Sequence, residues 1–188
     1  LAQAYLMDEK ANKALEYIDN ALELFAKDNS ISDERYLSYL LIKGNIYQDI
    51  NEIDQAVNCY QDVIKIDNKI EQPYINIGNA YVNNSKPKEA IPFLEKAVKL
   101  NPKTASTYAI LGNAYYLIGK KEKSLEFFTK AEKLDPSLSS GALSSKAAAF
   151  IDSGNSEAAV LTLIEAIKKD PYNSNAYVNL GIWFRNKK

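Results

Sequence analysis

The chain has 188 residues, the length of one ordinary domain, and 46% of them are apolar, which is enough to build a hydrophobic core. Its 23 basic and 24 acidic residues leave a net charge of −1, which argues against a strongly basic nucleic-acid binder and a polybasic membrane anchor. With no histidine and one cysteine, the chain has no histidine-based catalysis, no intramolecular disulfide and no cysteine-based metal cluster. No segment approaches the roughly 18 consecutive apolar residues of a membrane-spanning helix.

A repeat of 34 or 35 residues dominates the sequence. A small residue recurs at this interval, with a bulky apolar residue four positions before it and an aromatic residue three positions after it. The small residues are Gly44, Gly78, Gly112, Ala147 and Gly181, the bulky ones are Leu40, Tyr74, Tyr108, Leu143 and Tyr177, and the aromatic ones are Tyr47, Tyr81, Tyr115, Phe150 and Phe184. This spacing puts the apolar side chains on one face of a helix.

The second half of each unit has a helical pattern of its own. Twelve residues after the first small residue comes another, followed by apolar residues four and seven positions later. These triplets are Ala56, Tyr60 and Val63; Ala90, Leu94 and Ala97; Ser124, Phe128 and Ala131; and Ala159, Leu163 and Ala166. Asn68, Pro102, Pro136 and Pro171 close the units. One helix pair cannot bury its apolar face alone, so the pattern predicts stacked pairs and an all-α fold.

The pattern resembles the tetratricopeptide repeat family, and residues 74–81 are close to that family's consensus as they stand. The resemblance implies one domain over residues 1–188, an all-α, right-handed superhelical solenoid of helix-turn-helix repeats. Its predicted parts are a partial repeat (1–28), an extended joint (29–36), four full repeats (37–70, 71–104, 105–138 and 140–173) and a final first helix or cap (174–188).

Three features depart from the regular repeat. Residues 32–34 resemble a helix start, so we expect the next helix to be extended to residues 33–50. Lys43 and Lys146 replace the apolar residue before the small one, and we expect their stems to lie along the core while the ammonium reaches water. Trp183 indicates either a helix that closes the core or a join to a further unit.

The resemblance implies that the first helix of each unit lines a concave groove. The candidate peptide-binding residues are Asn45, Gln48, Gln72, Asn76, Asn79, Val82, Asn113, Tyr116 and Ile151. A side-chain amide both donates and accepts hydrogen bonds, so it can pair with a peptide backbone without reading its sequence. Helices packed about 8–10 Å apart would place one amide at roughly every third residue of an extended peptide. The alternative is that asparagine here simply suits the helix surface.

Some members of the family hold a partner's C-terminal carboxylates in a clamp of lysine and asparagine side chains. Asn45 and Asn76 match two parts of that clamp, but Leu41, Ser106 and Ile110 stand where it has basic residues. The sequence therefore does not predict a clamp of this kind.

Carboxylate side chains are the remaining candidates for catalytic groups. Adjacent pairs such as Asp33 and Glu34 point about 100° apart on a helix, so the two carboxylates cannot act on one substrate. We therefore predict no enzymatic activity, no metal site and no cofactor. The predicted function is a cytoplasmic interaction scaffold that binds a protein or an extended peptide in its groove. No nucleic-acid partner and no direct membrane insertion are expected.

Two other interpretations stay open. Residues 1–70 carry a net charge of −6 and residues 71–188 a net charge of +5, which favours self-association through the ends or the convex face. An enzyme subunit would need a catalytic domain outside this chain.

Overall fold

The computed structural model describes the backbone of residues 2–28 and 33–186, and the side chains of residues 10–28 and 33–185. Within these ranges the chain forms α-helices and no β-strand, which confirms the prediction of an all-α fold. The helices are α1 (Ala2–Lys27), α2 (Glu34–Asp49), α3 (Ile53–Ile66), α4 (Gln72–Asn83), α5 (Pro87–Leu100), α6 (Ala105–Leu117), α7 (Lys121–Leu134), α8 (Ser140–Asp152), α9 (Ser156–Lys169) and α10 (Ser174–Asn186). They form two compact units, Leu1–Ser85 and Lys86–Lys188.

In the first unit, α1 packs on α2, and α2 packs on α3. Asp33 caps the start of α2, where its carboxylate accepts a hydrogen bond from the Arg35 backbone N–H at 2.8 Å. The predicted helix at residues 33–50 is thus present with slightly shorter bounds, whereas residues 29–32 of the predicted joint lie outside the described residues. The ring of Tyr60 in α3 lies directly on Gly44 in α2, in the space that a Cβ would take.

The second unit repeats this pairing. Three ring atoms of Phe128 in α7 lie 3.0 Å from where a Cβ on Gly112 in α6 would be. Further along, Leu143, Ala147 and Leu163 are buried in one apolar cluster that α8 and α9 share. The recurring small residue therefore permits close helix approach, as the repeat pattern predicts.

The turn inside each repeat has one left-handed residue at the same place. Asn51, Ser85, Gly119 and Gly154 have φ angles of 64°, 56°, 77° and 80°. Each backbone N–H donates to a carbonyl three residues earlier, so the first helix ends in the same way in all four repeats. The spacing of these four residues is the spacing of the repeat itself.

The end of each second helix also has a common form. Asp67, Asn101, Asp135 and Asp170 all adopt extended backbone angles directly after the helix. Each side chain accepts a hydrogen bond from the backbone N–H two residues later, at 2.8 to 3.1 Å. These Asx turns set the joint between repeats, together with the proline that follows three of the four residues.

Lys146 departs from the expectation that its ammonium group reaches water, whereas the Lys43 side chain keeps 21% of its surface exposed. Lys43 Nζ lies 2.5 Å from a carboxylate oxygen of Asp19, and Lys146 Nζ lies 2.9 Å from one of Glu132. Lys146 is only 7% exposed. Both lysines therefore pair with a carboxylate of a neighbouring helix, a partner that the repeat pattern does not indicate.

Cysteine and tryptophan each occur once in the chain, the cysteine in the first unit and the tryptophan in the second. Cys59 is buried in α3, and burial raises the pKa of its thiol. Trp183 is half-buried in α10, with its ring edge-on to Phe184 and the centroids 4.8 Å apart. Among the described residues, no helix has the length and apolar character to cross a membrane.

Candidate functional site

Four predicted site residues and one tyrosine form a hydrogen-bonded cluster in the first unit, here called the amide network. Tyr60 Oη donates to Asn45 Oδ1 at 2.7 Å and lies 3.3 Å from Gln48 Oε1. Asn76 Nδ2 donates to the same Asn45 oxygen at 3.1 Å, and Gln72 Nε2 donates to Asn76 Oδ1 at 2.7 Å. The network joins the exposed ends of side chains on α2 and α4 to one buried residue of α3.

Tyr60 anchors the amide network from the core of the first unit. Its side chain is fully buried, and burial raises the pKa of its hydroxyl, so the group stays a neutral donor throughout the physiological pH range. A buried ring has little rotational freedom, and its hydroxyl therefore fixes the position of the Asn45 amide.

The network determines which atoms face solvent. Asn45 Oδ1 already accepts two hydrogen bonds, so the outward group of this exposed side chain is its Nδ2 amide. Gln48 turns its oxygen toward Tyr60, which leaves its Nε2 amide on the side away from the ring. The N–H groups of these amides are hydrogen-bond donors, which suit carbonyl oxygens of a peptide backbone.

The other two candidates of the first unit lie on α4 and differ in exposure. Asn79 is half-buried and keeps part of its side chain at the surface. Val82 is 7% exposed, so it belongs to the core and offers a ligand little surface.

In the second unit, the candidates Asn113, Tyr116 and Ile151 are all half-buried on α6 and α8. Burial raises the pKa of the Tyr116 hydroxyl, and the charge of Asp152 and a hydrogen bond to its carboxylate raise it further. The contact brings Tyr116 to the end of α8, next to Ile151. Leu117 follows on α6 with 49% of its surface exposed, so this face presents apolar groups beside a few polar ones.

Tyr60 is the residue that the sequence pattern assigned only to the core. The equivalent positions of the other repeats hold Leu94, Phe128 and Leu163, which have no polar atom to reach the surface. The hydroxyl of Tyr60, which the equivalent residues lack, was the feature of the sequence that could have indicated a role at the surface. In the described part of the chain, no group of three histidine, cysteine, aspartate or glutamate side chains is arranged to hold a metal ion.

Several solved structures have a similar fold. A crystal structure of MamA is 25% identical with a TM-score of 0.66, over 88% of this chain and 94% of that one. YrrB, described as "a TPR protein with an unusual peptide-binding site", is 23% identical with a TM-score of 0.66, over 93% of this chain and 86% of that one. The first TPR domain of Spaghetti (RPAP3), bound to the HSP90 peptide SRMEEVD, is 25% identical with a TM-score of 0.54, over 56% of this chain and 84% of that one.

Among curated proteins, none matches the chain significantly. Three repeat-family models do match: a TPR repeat over residues 44–85, and tetratricopeptide repeats over residues 72–104 and 105–138. The last two coincide almost entirely with two of the units read from the sequence, and together the matches span just over half of the chain. The recurring helix pairs, the glycines under aromatic rings and these matches establish that the chain belongs to the tetratricopeptide repeat family and has its all-α solenoid fold.

Proposed function

We propose that this protein is a non-catalytic interaction scaffold that binds an extended segment of a partner protein along its first helices. The amide network on α2 and α4 carries this proposal. It holds two side-chain amides with their oxygens engaged and their N–H groups outward, an arrangement that donates to backbone carbonyls. Because backbone carbonyls occur in every peptide, these contacts give affinity without specifying a sequence.

The expected affinity is modest. Each hydrogen bond contributes a net ~1 kcal/mol, and the peptide loses conformational freedom when it is ordered. Apolar contacts of the peptide must supply the rest of the binding free energy. These terms lead to dissociation constants in roughly the micromolar range.

The comparison with Spaghetti (RPAP3) supports a peptide as the ligand class. That domain shares 25% identity with this chain, and its structure is of the domain bound to a seven-residue peptide. Its peptide ends in acidic residues, whereas the amide network offers neutral donors. The comparison therefore supports a peptide as the class of ligand, and we expect the charge of the ligand to differ.

An isosteric pair of substitutions tests the proposal. Asn45→Asp keeps the oxygen that accepts from Tyr60 and Asn76 but replaces the outward N–H donors with an acceptor. Asn58→Asp makes the same change at an exposed asparagine of α3, outside the network. A peptide would first be selected from a random library on the unmodified protein, and its affinity for each variant would be measured by calorimetry.

We expect Asn45→Asp to weaken the selected peptide about tenfold, since roughly 1.4 kcal/mol is one factor of ten. Asn58→Asp should bind like the unmodified protein. Equal affinities for both variants would contradict a role for the amide network, and failure to select any peptide would contradict the proposed function itself.

A further inference from the structure

The last helix exposes the face that first helices bury in complete repeats. Tyr177, Gly181 and Phe184 of α10 are equivalent to Tyr108, Gly112 and Tyr115 of α6. Tyr108 and Tyr115 are 9% and 5% exposed, whereas Tyr177 and Phe184 are 49% and 59% exposed.

The glycines show the same difference. A Cβ on Gly112 would lie 3.0 Å from the Phe128 ring, but a Cβ on Gly181 would meet nothing within 4 Å. In the described residues, α10 packs only on α8 and α9. The face is thus shaped to receive a second helix of the repeat, with an apolar side chain over Gly181.

The first described helix has the complementary surface. Ala14, Ile18 and Ala21 of α1 stand in register with Ala56, Tyr60 and Val63 of α3, which are fully buried. In α1 the same three positions are only half-buried. Beside them Tyr17 and Leu24 are 74% and 63% exposed, and α1 packs only on α2 within the described chain.

Charge is also complementary between the two units. Residues 1–85 carry 14 acidic and 7 basic side chains, a net charge of −7, while residues 86–188 carry 10 acidic and 16 basic side chains, a net charge of +6. The exposed second-helix face lies in the acidic unit, and the exposed first-helix face lies in the basic unit. Opposite charges favour contact between unlike ends and oppose contact between like ends.

We infer that α10 of one molecule binds α1 of a second copy of this chain, and that the two helices together complete one repeat. Ile18 of the second copy then covers Gly181, as Tyr60 covers Gly44 within the chain. Such a contact joins unlike surfaces, so it leaves one free face at each end and propagates into open chains. The α1 and α10 faces lie outside the amide network, so this association does not depend on peptide binding.

Sedimentation velocity over a concentration series, up to about 1 mM, tests this association. Gly181→Leu blocks the α10 face at a site where the fold has room for a side chain. The double variant Tyr17→Glu, Leu24→Glu puts charges on the α1 face at two exposed positions. Matched controls are Gly141→Leu, at a glycine of α8 that also has open space, and Leu161→Glu, at a residue of α9 that is 63% exposed.

We expect the unmodified chain and both controls to form species that grow beyond the dimer as concentration rises, and to dissociate in high salt because charge attraction is screened. Each blocked variant should remain a monomer with unchanged helicity. An equimolar mixture of the two blocked variants should give a heterodimer and nothing larger, because one intact α10 face meets one intact α1 face.

Three results would overturn the inference. They are a monomeric unmodified chain at every concentration, a closed dimer that the blocking substitutions do not affect, and a mixture of blocked variants that stays monomeric.

Discussion

At the scale of single residues, Tyr60 connects the core of the first unit to its surface. Its ring fills the space above Gly44, and its hydroxyl positions Asn45 at the surface. One side chain thus serves helix packing and the candidate site together. A substitution that keeps the ring but removes the hydroxyl separates these two roles.

Tyr60→Phe should lower stability by about 1 kcal/mol, the usual net contribution of one hydrogen bond, and lower Tm by about 2–4 °C. It should also weaken a bound peptide severalfold, because Asn45 loses the donor that fixes its amide. Tyr115→Phe is the matched control, since Tyr115 Oη donates to Glu95 at 2.9 Å in the second unit. Loss of peptide affinity in both variants would show that the effect is one of stability alone.

Residue types alone reveal only part of the candidate site. The recurrence of Asn45, Asn79 and Asn113 predicts one polar column from spacing alone. The bonds from Asn76 to Asn45 and from Gln72 to Asn76 depend on how α2 and α4 lie side by side, which a linear pattern does not encode. Burial of Val82 likewise depends on packing, since its neighbours in sequence do not determine it.

At the scale of helices, the repeat period predicts which helices pair. Hydrogen bonds from polar side chains to the nearby backbone determine where the second helices end. The period located the helix pairs and the residues that close each unit. It did not identify Asp67 and its three equivalents as Asx-turn residues, because aspartate and asparagine are common in loops of many kinds. The joints thus follow from hydrogen bonds between residues two apart, which hydrophobic periodicity does not report.

The glycines under aromatic rings give a prediction at this scale. Gly112→Ala gains up to about 1 kcal/mol of helix propensity but forces the Phe128 ring to move, which costs about 1–3 kcal/mol. Gly44→Ala should cost more, because Tyr60 lies still closer to the added carbon. Gly141→Ala meets nothing within 4 Å and should raise Tm. Thermal unfolding of the three variants checks this order, and a stabilising Gly44→Ala would contradict it.

At the scale of the whole molecule, the two units differ in net charge, which is −7 over residues 1–85 and +6 over residues 86–188. The acidic unit holds the amide network, and its negative field opposes an acidic ligand there. The basic residues of a carboxylate clamp are also missing at Leu41, Ser106 and Ile110. We therefore expect this chain to favour a less acidic ligand than the peptide SRMEEVD that is bound to the RPAP3 domain.

The peptide SRMEEVD and its neutral analogue SRMQQVN check this difference. We expect removal of the acidic side chains to leave affinity unchanged or to raise it, because no lysine of a clamp is present to pair with them. Calorimetric titration at low and high salt measures both peptides. Tight binding of SRMEEVD that the neutral analogue loses would contradict the expectation.

Cys59 and Trp183 lie in different units, so the unfolding of each unit can be followed separately in the unmodified protein. The thiol is buried in α3 of the first unit, and the indole is half-buried in α10 of the second. Repeat proteins need not unfold in one step, because each repeat contacts mainly its neighbours. The rate at which a thiol reagent modifies Cys59 therefore measures the opening of the first unit. The fluorescence of Trp183 follows the unfolding of the second unit in the same sample. The order in which the two units open can be read without attaching a label to either.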